Sequence, residues 1–348
     1  MVFRVAGGPD IGFGHLRRSW TLAEQLSREG CKVYFVTATV EDATLLSKAG
    51  FSVWSEEKPH HLARTIQLLQ TAPSPKLCLV DDPRLSGTSL AALRKHALVA
   101  CVDDTGEREM PVDLVVNGSA GAEILRYRGL KETLYMLGPQ YILLRKEFMC
   151  EPVERRLSQD IQRVLILTGG GQPGAWLQVV LAVVAETLPR AVIDVIVGPF
   201  SQTSTFEGSL HGQVVWHRSP PDIRALMLSA DLAVSAGGQT LYELAATATP
   251  TLGIRVAANQ ALNLRGLARA GCLRDLGVPV EPGFRARLAE GLAGLAADAR
   301  AREDMGRRGR NVVDGRGAER VAARLERLLD GSQCHTRAQA MHDGGGVT

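Results

Sequence analysis

Short apolar runs alternate with longer amphipathic stretches along most of the chain. In the first half the candidate strands read VFRVAG, CKVYFVTA, FSVWSE, LCLVDD, LVACVDD, DLVVNG and LYMLG. In the second half they read VLILTGGG, AVIDVIVG, QVVWH, DLAVSAGG and TPTLGIR. Strands that alternate with helical patterns in this way predict an α/β protein whose parallel sheets carry helices on both faces.

The first helix is predicted from the spacing of its apolar side chains. Leu16, Trp20, Ala23 and Leu26 recur at helical intervals, which predicts a helix over residues 15–28. Gly30 follows as the expected C-cap.

The length and the composition of the segments predict the domain organisation. A chain of 348 residues suits two domains of ~150 residues each. A charged, proline-bearing segment near residue 150 is the expected linker, so we predict one domain over residues 1–150 and a second over 151–330. The polar, glycine-rich stretch 331–348 is expected to be a disordered tail. Two doubly wound, Rossmann-like domains in series predict a central cleft, with ligands beyond the carboxyl ends of the strands.

Charge and cysteine usage exclude several classes of protein. The formal net charge of +3 is close to balance and gives no reason to expect a nucleic-acid partner. No apolar run reaches the ~18 residues of a membrane span, and the N-terminus does not read as a signal peptide. The six cysteines show no metal-binding spacing, and Cys78 and Cys101 lie in apolar strand-like runs as expected core residues. We therefore expect a cytoplasmic protein, a monomer or weak homodimer, without structural metal or cofactor and without stable membrane insertion.

The segment DLAVSAGGQTLYELAATATP, residues 231–250, carries the clearest binding signal. Gly237 and Gly238 let the backbone approach a ligand, and Thr240 begins a helix whose positive end suits a pyrophosphate. Glu243, one turn later, is placed to accept hydrogen bonds from two ribose hydroxyls. The same Thr-x-x-Glu spacing also makes a capping box that needs no ligand, and the sequence leaves both interpretations open.

Two further groups of polar residues follow predicted strands. The amides of Asn259, Gln260 and Asn263 suit a base edge or a sugar hydroxyl, although such residues also serve as loop or cap residues.

Pairs of aspartates end two strands of the first half. Asp81 and Asp82 end one strand, and Asp103 and Asp104 end the next. Carboxylates at this position face the ligand side of a parallel sheet, or they cap the following turn.

His15 is the candidate general base. It follows Gly12 and Gly14 and falls in the first turn of the predicted helix. The positive end of a helix disfavours the imidazolium, and a neutral imidazole can take a proton from water. A histidine here can also simply donate a hydrogen bond to a carbonyl group.

These motifs occur together in a known family. The run IGFGHLRRSWTLAEQL resembles the opening motif of the UDP-sugar hydrolases of the pseudaminic acid pathway, relatives of spore-coat polysaccharide proteins. The runs VDDTGEREMPVDLVVN, LGPQYILLRKEF, ALMLSADLAVSAGGQTLYE and VAANQALN follow in that family's order. Residues 237–243 are also similar to the nucleotide-binding motif of the glycosyltransferase that makes lipid II. The resemblance implies the glycosyltransferase-B fold.

It also implies an activity and a set of residues. The expected reaction is metal-independent hydrolysis of a UDP-linked acetamido-deoxy sugar at its anomeric carbon, with inversion and with His15 as the base. The family's substrate is UDP-2,4-diacetamido-2,4,6-trideoxy-β-L-altropyranose, but Ala6 and Pro83 depart from its pattern on the sugar side, so the sugar stays open. A glycosyltransferase of the same fold is the alternative, and a non-catalytic nucleotide-sugar sensor is a third. The predicted substrate-binding residues are Gly12, Gly14, Arg17, Asp81, Asp103, Asp104, Gly170, Gly237, Gly238, Gln239, Thr240, Glu243, Asn259 and Gln260.

Overall fold

The chain forms two compact units. The computed structural model describes residues 1–7, 14–56, 62–71, 76–149, 157–169, 174–198 and 214–343, with side chains to residue 331. Unit 1 comprises Met1–Gly118, Ile124–Leu143 and Arg316–Thr348, and unit 2 comprises Ser119–Glu123 and Leu144–Gly315.

Strands and helices alternate as the sequence predicts. The first elements are β1 Val2–Val5, α1 Gly14–Arg28, β2 Tyr34–Thr37, α2 Val40–Lys48, β3 Ser52–Ser55, α3 Ala63–Thr71, β4 Leu77–Asp81, α4 Gly87–Arg94, β5 Leu98–Val102, β6 Glu109–Met110, β7 Leu114–Asn117, β8 Arg128–Gly129 and β9 Leu134–Leu137. The later elements are β10 Arg163–Leu167, α5 Trp176–Thr187, β11 Val192–Val197, β12 Val214–Arg218, α6 Ile223–Ser229, β13 Leu232–Ala236, α7 Thr240–Ala246, β14 Thr251–Ile254, α8 Ala261–Arg269, β15 Arg274–Asp275, α9 Phe284–Ala297, α10 Ala299–Val312 and α11 Gly317–Asp343.

Each unit is built on one parallel sheet. The sheet of unit 1 has the order β3-β2-β1-β4-β5-β7-β9, and that of unit 2 has the order β12-β11-β10-β13-β14-β15. The strand order therefore reverses between β1 and β4 in unit 1 and between β10 and β13 in unit 2. Ligands of open α/β sheets bind at such switch points, beyond the carboxyl ends of the strands. The predicted class, two doubly wound α/β domains, is confirmed.

The last helix packs on unit 1. Val321 and Leu325 of α11 are fully buried in the same apolar cluster as Leu22 and Leu26 of α1. The predicted second domain, 151–330, therefore differs from unit 2, which ends at Gly315 because the apolar stripe of α11 covers the first sheet. The backbone of α11 is helical to Asp343, whereas the sequence predicted disorder from residue 331, and no proline interrupts this stretch.

The buried cysteines are core residues, as predicted. Cys78 and Cys101 lie inside β4 and β5 with no exposed surface. Burial raises the pKa of each thiol to about 12, so neither is a reactive thiolate near neutral pH. Among the helices that the structure describes, none combines the length and the apolar character needed to cross a membrane.

Two glycines in neighbouring helices give a test of the packing in unit 2. A Cβ on Gly306 of α10 would lie 2.3 Å from the carbonyl oxygen of Ala248, whereas one on Gly294 of α9 would approach nothing nearer than 3.9 Å. We expect Gly306→Ala to lower the free energy of unfolding by about 1–3 kcal/mol because backbone must move. Gly294→Ala is expected to raise it by up to about 1 kcal/mol through helix propensity. Urea unfolding of both variants measures the difference, and equal effects would contradict the tight α10 contact.

Candidate functional site

His15 and Asp81 form a hydrogen-bonded pair at the switch point of unit 1. His15 lies in the first turn of α1, which follows β1, and Asp81 is the last residue of the adjacent strand β4. The Nδ1 atom of His15 is 2.7 Å from Oδ1 of Asp81. An ionised carboxylate can only accept, so Nδ1 carries a proton, and the lone pair of the neutral imidazole is then on Nε2. The pair therefore presents a base at Nε2.

Arg18 and Ser19 complete the surroundings of Asp81 from the next turn of α1. The Nε atom of Arg18 donates to Oδ2 of Asp81 at 2.7 Å, and its Nη2 atom donates to Oδ1 at 2.6 Å. The hydroxyl of Ser19 donates to Oδ2 at 3.0 Å. These bonds fix the carboxylate on both oxygens, and with it the ring of His15.

Burial and charge act in opposite directions on this group. Burial raises the pKa of the Asp81 carboxyl, but the neighbouring Arg18 and His15 outweigh burial and hold it well below its usual range. Burial lowers the pKa of the Arg18 guanidinium, whereas the carboxylates of Asp104 and Asp81 raise it well above its ordinary value. The side chain of Asp81 is only 1% exposed, so the ion pair is shielded from water.

The two aspartates after β5 have different roles. Asp103 accepts hydrogen bonds from the backbone N–H groups of Thr105 and Gly106, at 3.0 and 2.6 Å, and from the hydroxyl of Tyr127 at 3.2 Å. Asp103 thus caps its own turn, which is the alternative that the sequence left open. Asp104 instead accepts from Nη1 of Arg18 at 2.7 Å and from Nη2 at 3.0 Å.

The structure brings Arg18, rather than Arg17, into this group. Successive residues of a helix are rotated by about 100°, so the third residue after His15 shares its face and the second does not. Arg17 is accordingly exposed, and its carbonyl accepts from Thr21 within the helix. Helical spacing alone could have identified Arg18 from the sequence. Gly14 begins α1, while Gly12 lies outside the described residues.

Asp82 points into a separate charged group. Its carboxylate accepts from Nε and Nη2 of Arg84 at 2.8 and 2.9 Å and is fully buried. Neighbouring residues of a strand face opposite sides of a sheet, which explains why Asp81 and Asp82 have different partners.

The glycine turn of unit 2 follows β13 at the second switch point. A Cβ on Gly237 would lie 2.8 Å from a methyl carbon of Leu264 and 2.9 Å from Cβ of Gln260. The equivalent position on Gly238 has no atom within 4 Å. Gly237 is therefore needed for packing, and Gly238 is the residue whose backbone is open to approach. Gly170, which follows β10 in the sequence, lies outside the described residues.

The predicted amides hold this turn in place. Oε1 of Gln260 accepts from the backbone N–H groups of Gly237, Val256 and Ala257 at 3.2, 2.9 and 3.3 Å. Asn259 is exposed beside it. Gln260 therefore orients this turn through Oε1, and its contact with a nucleotide stays a prediction.

Asn263 supports the same turn from the other side. Its Oδ1 atom accepts from the hydroxyl of the buried Tyr242 at 2.6 Å, and its Nδ2 atom donates to the carbonyl of Gly237 at 3.4 Å. The Tyr242 hydroxyl also accepts from the backbone N–H of Ala120 at 2.7 Å.

Glu243 pairs with an arginine that the sequence interpretation missed. Oε1 of Glu243 accepts from Nε and Nη2 of Arg145 at 3.0 and 2.9 Å. The helix α7 begins at Thr240 with Gln239 as its N-cap and no side-chain cap hydrogen bond, so the capping box is not formed. Arg145 lies in the run LLRKEF, and its distance in sequence gave no signal of this contact.

No group of three or more His, Cys, Asp or Glu side chains is arranged to hold a metal ion among the described residues.

The chain is similar to two proteins with names from polysaccharide and nucleotide-sugar biosynthesis. It is 26% identical over 342 residues to the spore coat polysaccharide biosynthesis protein SpsG of Bacillus subtilis, covering 93% of this chain and 97% of that protein. It is 26% identical over 146 residues to a Helicobacter pylori protein named pseudaminic acid cytidylyltransferase and UDP-2,4-diacetamido-2,4,6-trideoxy-β-L-altropyranose hydrolase. That match covers 42% of this chain and 26% of the protein. No protein-family profile matches the chain.

Solved structures define the fold class. The calicheamicin glycosyltransferase CalG4 superimposes with a TM-score of 0.64 at 17% identity, covering 94% of this chain and 98% of its own. The Staphylococcus aureus MnaA–UDP structure gives a TM-score of 0.64 at 13% identity, covering 94% and 96%. The fold is that of the glycosyltransferase-B class, as the motifs implied.

Proposed function

We propose that this protein is a nucleotide-sugar enzyme of polysaccharide biosynthesis that hydrolyses a UDP-linked, acetamido-deoxy sugar at its anomeric carbon. The observation that carries the proposal is the 2.7 Å hydrogen bond between His15 and Asp81 at the switch point of unit 1. It leaves Nε2 of His15 as a base of fixed orientation, which is what the activation of water requires. The partial similarity to a UDP-sugar hydrolase and the end-to-end similarity to a polysaccharide biosynthesis protein support it.

The proposed step balances as a single displacement. Nε2 of His15 takes a proton from water while the water oxygen bonds to the anomeric carbon. The bond between that carbon and the diphosphate oxygen breaks, and its electron pair leaves with UDP. The products are the free sugar of inverted anomeric configuration, UDP and a proton, which His15 returns to solvent. Asp81 stabilises the imidazolium that forms on the way.

We assign UDP to unit 2. The open backbone at Gly238, the start of α7 at Gln239 and Thr240, and the carboxylate of Glu243 lie in one short stretch at the second switch point. Backbone N–H groups stabilise the diphosphate leaving group in this proposal, without a metal ion. Glu243 is 8% exposed and already oriented by Arg145, which suits a carboxylate that accepts from ribose hydroxyls.

Replacing Glu243 tests the ribose contact. We expect Glu243→Ala to weaken UDP binding by about 10- to 100-fold, since a charged acceptor for two hydroxyls is lost. Calorimetric titration with UDP and with 2′-deoxy-UDP measures it. Wild type should discriminate between the two nucleotides, and the variant should discriminate much less.

A second carboxylate that pairs with Arg145 provides the control. Glu147 contacts Nη1 of Arg145 at 2.9 Å, and Glu147→Ala should leave UDP affinity unchanged. Unchanged UDP affinity in Glu243→Ala, together with a lower melting temperature, would mean that Glu243 only stabilises the fold through its ion pair with Arg145.

The activity itself is tested with a panel of UDP-sugars and no acceptor. Release of UDP is followed by anion-exchange chromatography, and the first anomer formed is followed by proton NMR. We expect UDP release from an acetamido-deoxy substrate with inversion. UDP binding without turnover across the panel would favour the glycosyltransferase of the same fold, which needs an acceptor alcohol or amine.

A further inference from the structure

Asp104 lies outside the His15–Asp81 pair but belongs to the same group of charges. Its described hydrogen bonds all come from Arg18, at 2.7 and 3.0 Å, and its side chain is 42% exposed. Arg18 therefore divides its guanidinium between two carboxylates, of which one holds His15. A single carboxylate would suffice to neutralise Arg18, so the second requires an explanation.

We propose that Asp104 is a positioning residue that stabilises the protonated form of His15 through Arg18. Arg18 and Asp81 alone carry no net charge, and they would do little to favour an imidazolium next to them. With Asp104 the three side chains carry a net charge of about −1, which becomes about zero when His15 takes a proton. The group is thus complementary to the charge that develops at His15 during the proposed reaction.

The geometry of Arg18 gives Asp104 a second effect. Nη2 of Arg18 lies 3.0 Å from Nδ1 of His15, and both atoms donate toward Oδ1 of Asp81. Two donors at this separation repel each other when the ring is charged. Asp104 accepts hydrogen bonds from Nη1 and Nη2 of Arg18, and Nη2 is also the atom nearest the His15 ring. The carboxylate therefore partly neutralises the positive charge that the ring meets.

Other ionisable groups near Asp104 are already committed to different partners. Asp103 is occupied by its turn and by Tyr127, and Arg108 lies 3.6 Å from Asp103. Burial raises the pKa of the Tyr127 hydroxyl, and the carboxylates of Asp103 and Asp104 raise it further, so Tyr127 stays neutral over the working pH range. The charged groups that connect Asp104 to His15 are therefore Arg18 and Asp81, and both keep their charges when His15 takes a proton.

The first test follows the protonation of His15 without any substrate. Long-range ¹H–¹⁵N NMR of the histidine side chains of the full chain is recorded against pH, and His15→Gln assigns the signal. We expect Asp104→Asn to move the midpoint of the His15 titration to lower pH by about half a unit or more, since one negative charge is lost. Asp104→Glu, which keeps the negative charge, should bring the midpoint most of the way back to the wild-type value. Glu132→Gln is the control, because it removes an exposed carboxylate that pairs with Arg94 at 3.2 Å in the same unit. It should leave the midpoint of the His15 titration unchanged.

The second test separates a positioning role from a sugar contact. This inference rests on the proposed hydrolysis, in which Asp104→Asn should lower kcat about three- to tenfold with little change in KM, and should shift the acid limb of the pH profile as in the NMR titration. A raised KM with an unmoved His15 titration would overturn the proposal and make Asp104 a substrate contact. The NMR result does not depend on turnover, so a failure of the hydrolase proposal and a failure of this inference are distinguishable.

Discussion

Replacement of His15 by alanine is expected to abolish turnover while leaving UDP affinity nearly unchanged. The loss should be at least about 10³-fold in kcat, because the variant has no other base in the same position to accept the proton from water. UDP affinity should persist because we assign the nucleotide to the stretch around Gly238 and Glu243 in unit 2. Single-turnover kinetics with a responsive UDP-sugar and calorimetry with UDP measure the two quantities separately.

A second histidine–aspartate pair supplies the matched control. Nε2 of His217 lies 2.7 Å from Oδ1 of Asp194 in unit 2, the same separation as in the His15 pair. His217→Ala should lower stability and keep turnover, since His217 and Asp194 lie on β12 and β11, away from the switch point between β10 and β13. Loss of UDP binding in His15→Ala, in parallel with turnover, would mean that His15 serves the fold or the phosphates.

Asp81→Asn is expected to lower kcat by about 10²- to 10⁴-fold with little change in the affinity for UDP. An amide can rotate to present either its oxygen or its nitrogen to Nδ1 of His15, so the proton on Nδ1 is no longer fixed. The imidazolium also loses its nearest negative charge. Asp82→Asn is the control, since it neutralises the adjacent buried carboxylate, whose partner is Arg84 and not His15. Equal losses of kcat in both variants would contradict the specific role of Asp81.

Asp81→Asn also changes how the stability of the fold depends on pH. The pKa of Asp81 is lowered in the folded chain from an ordinary value of 3.8, so its ionised form stabilises the fold above that pH. This contribution is lost as the pH falls through the lowered pKa. Asp81→Asn should therefore cost about 3 kcal/mol at pH 7, the cost of breaking a buried ion pair, and much less in strong acid. Thermal melts of the wild type and the variant across pH measure the difference.

Much of the fold follows from local pattern. The segments LCLV of β4 and VLIL of β10 are apolar at every position because both faces of these strands are buried, and such strands require parallel neighbours with covering helices. The helix predicted over 15–28 forms as α1 over Gly14–Arg28, with Gly30 at a φ of 89° after it. The placement of α11 on unit 1 could not be predicted from the sequence, because an apolar stripe does not indicate which of the two sheets it covers.

The candidate site was only partly predictable. His15, Asp81 and Asp104 each follow or end a strand, and the carboxyl ends of neighbouring parallel strands meet at one edge. Helical spacing places Arg18 on the same face as His15, but its pairing with both Asp81 and Asp104 depends on the strand order, which no single motif contains. The hydrogen bonds of Gln260 and Asp103 to backbone N–H groups could not be predicted, because only the folded chain brings those groups near. The contacts of both residues with substrate stay predictions. Gly12 and Gly170 lie outside the described residues, and their proposed contacts stay predictions.

The central claim is that water, activated at His15, attacks the anomeric carbon. The most direct measurement is incubation with the panel of UDP-sugars in ¹⁸O-water without an acceptor, followed by mass spectrometry of both products. The account predicts one ¹⁸O in the free sugar and none in UDP, and the same experiment identifies the sugar. Label in UDP would place the attack at phosphorus and contradict the account.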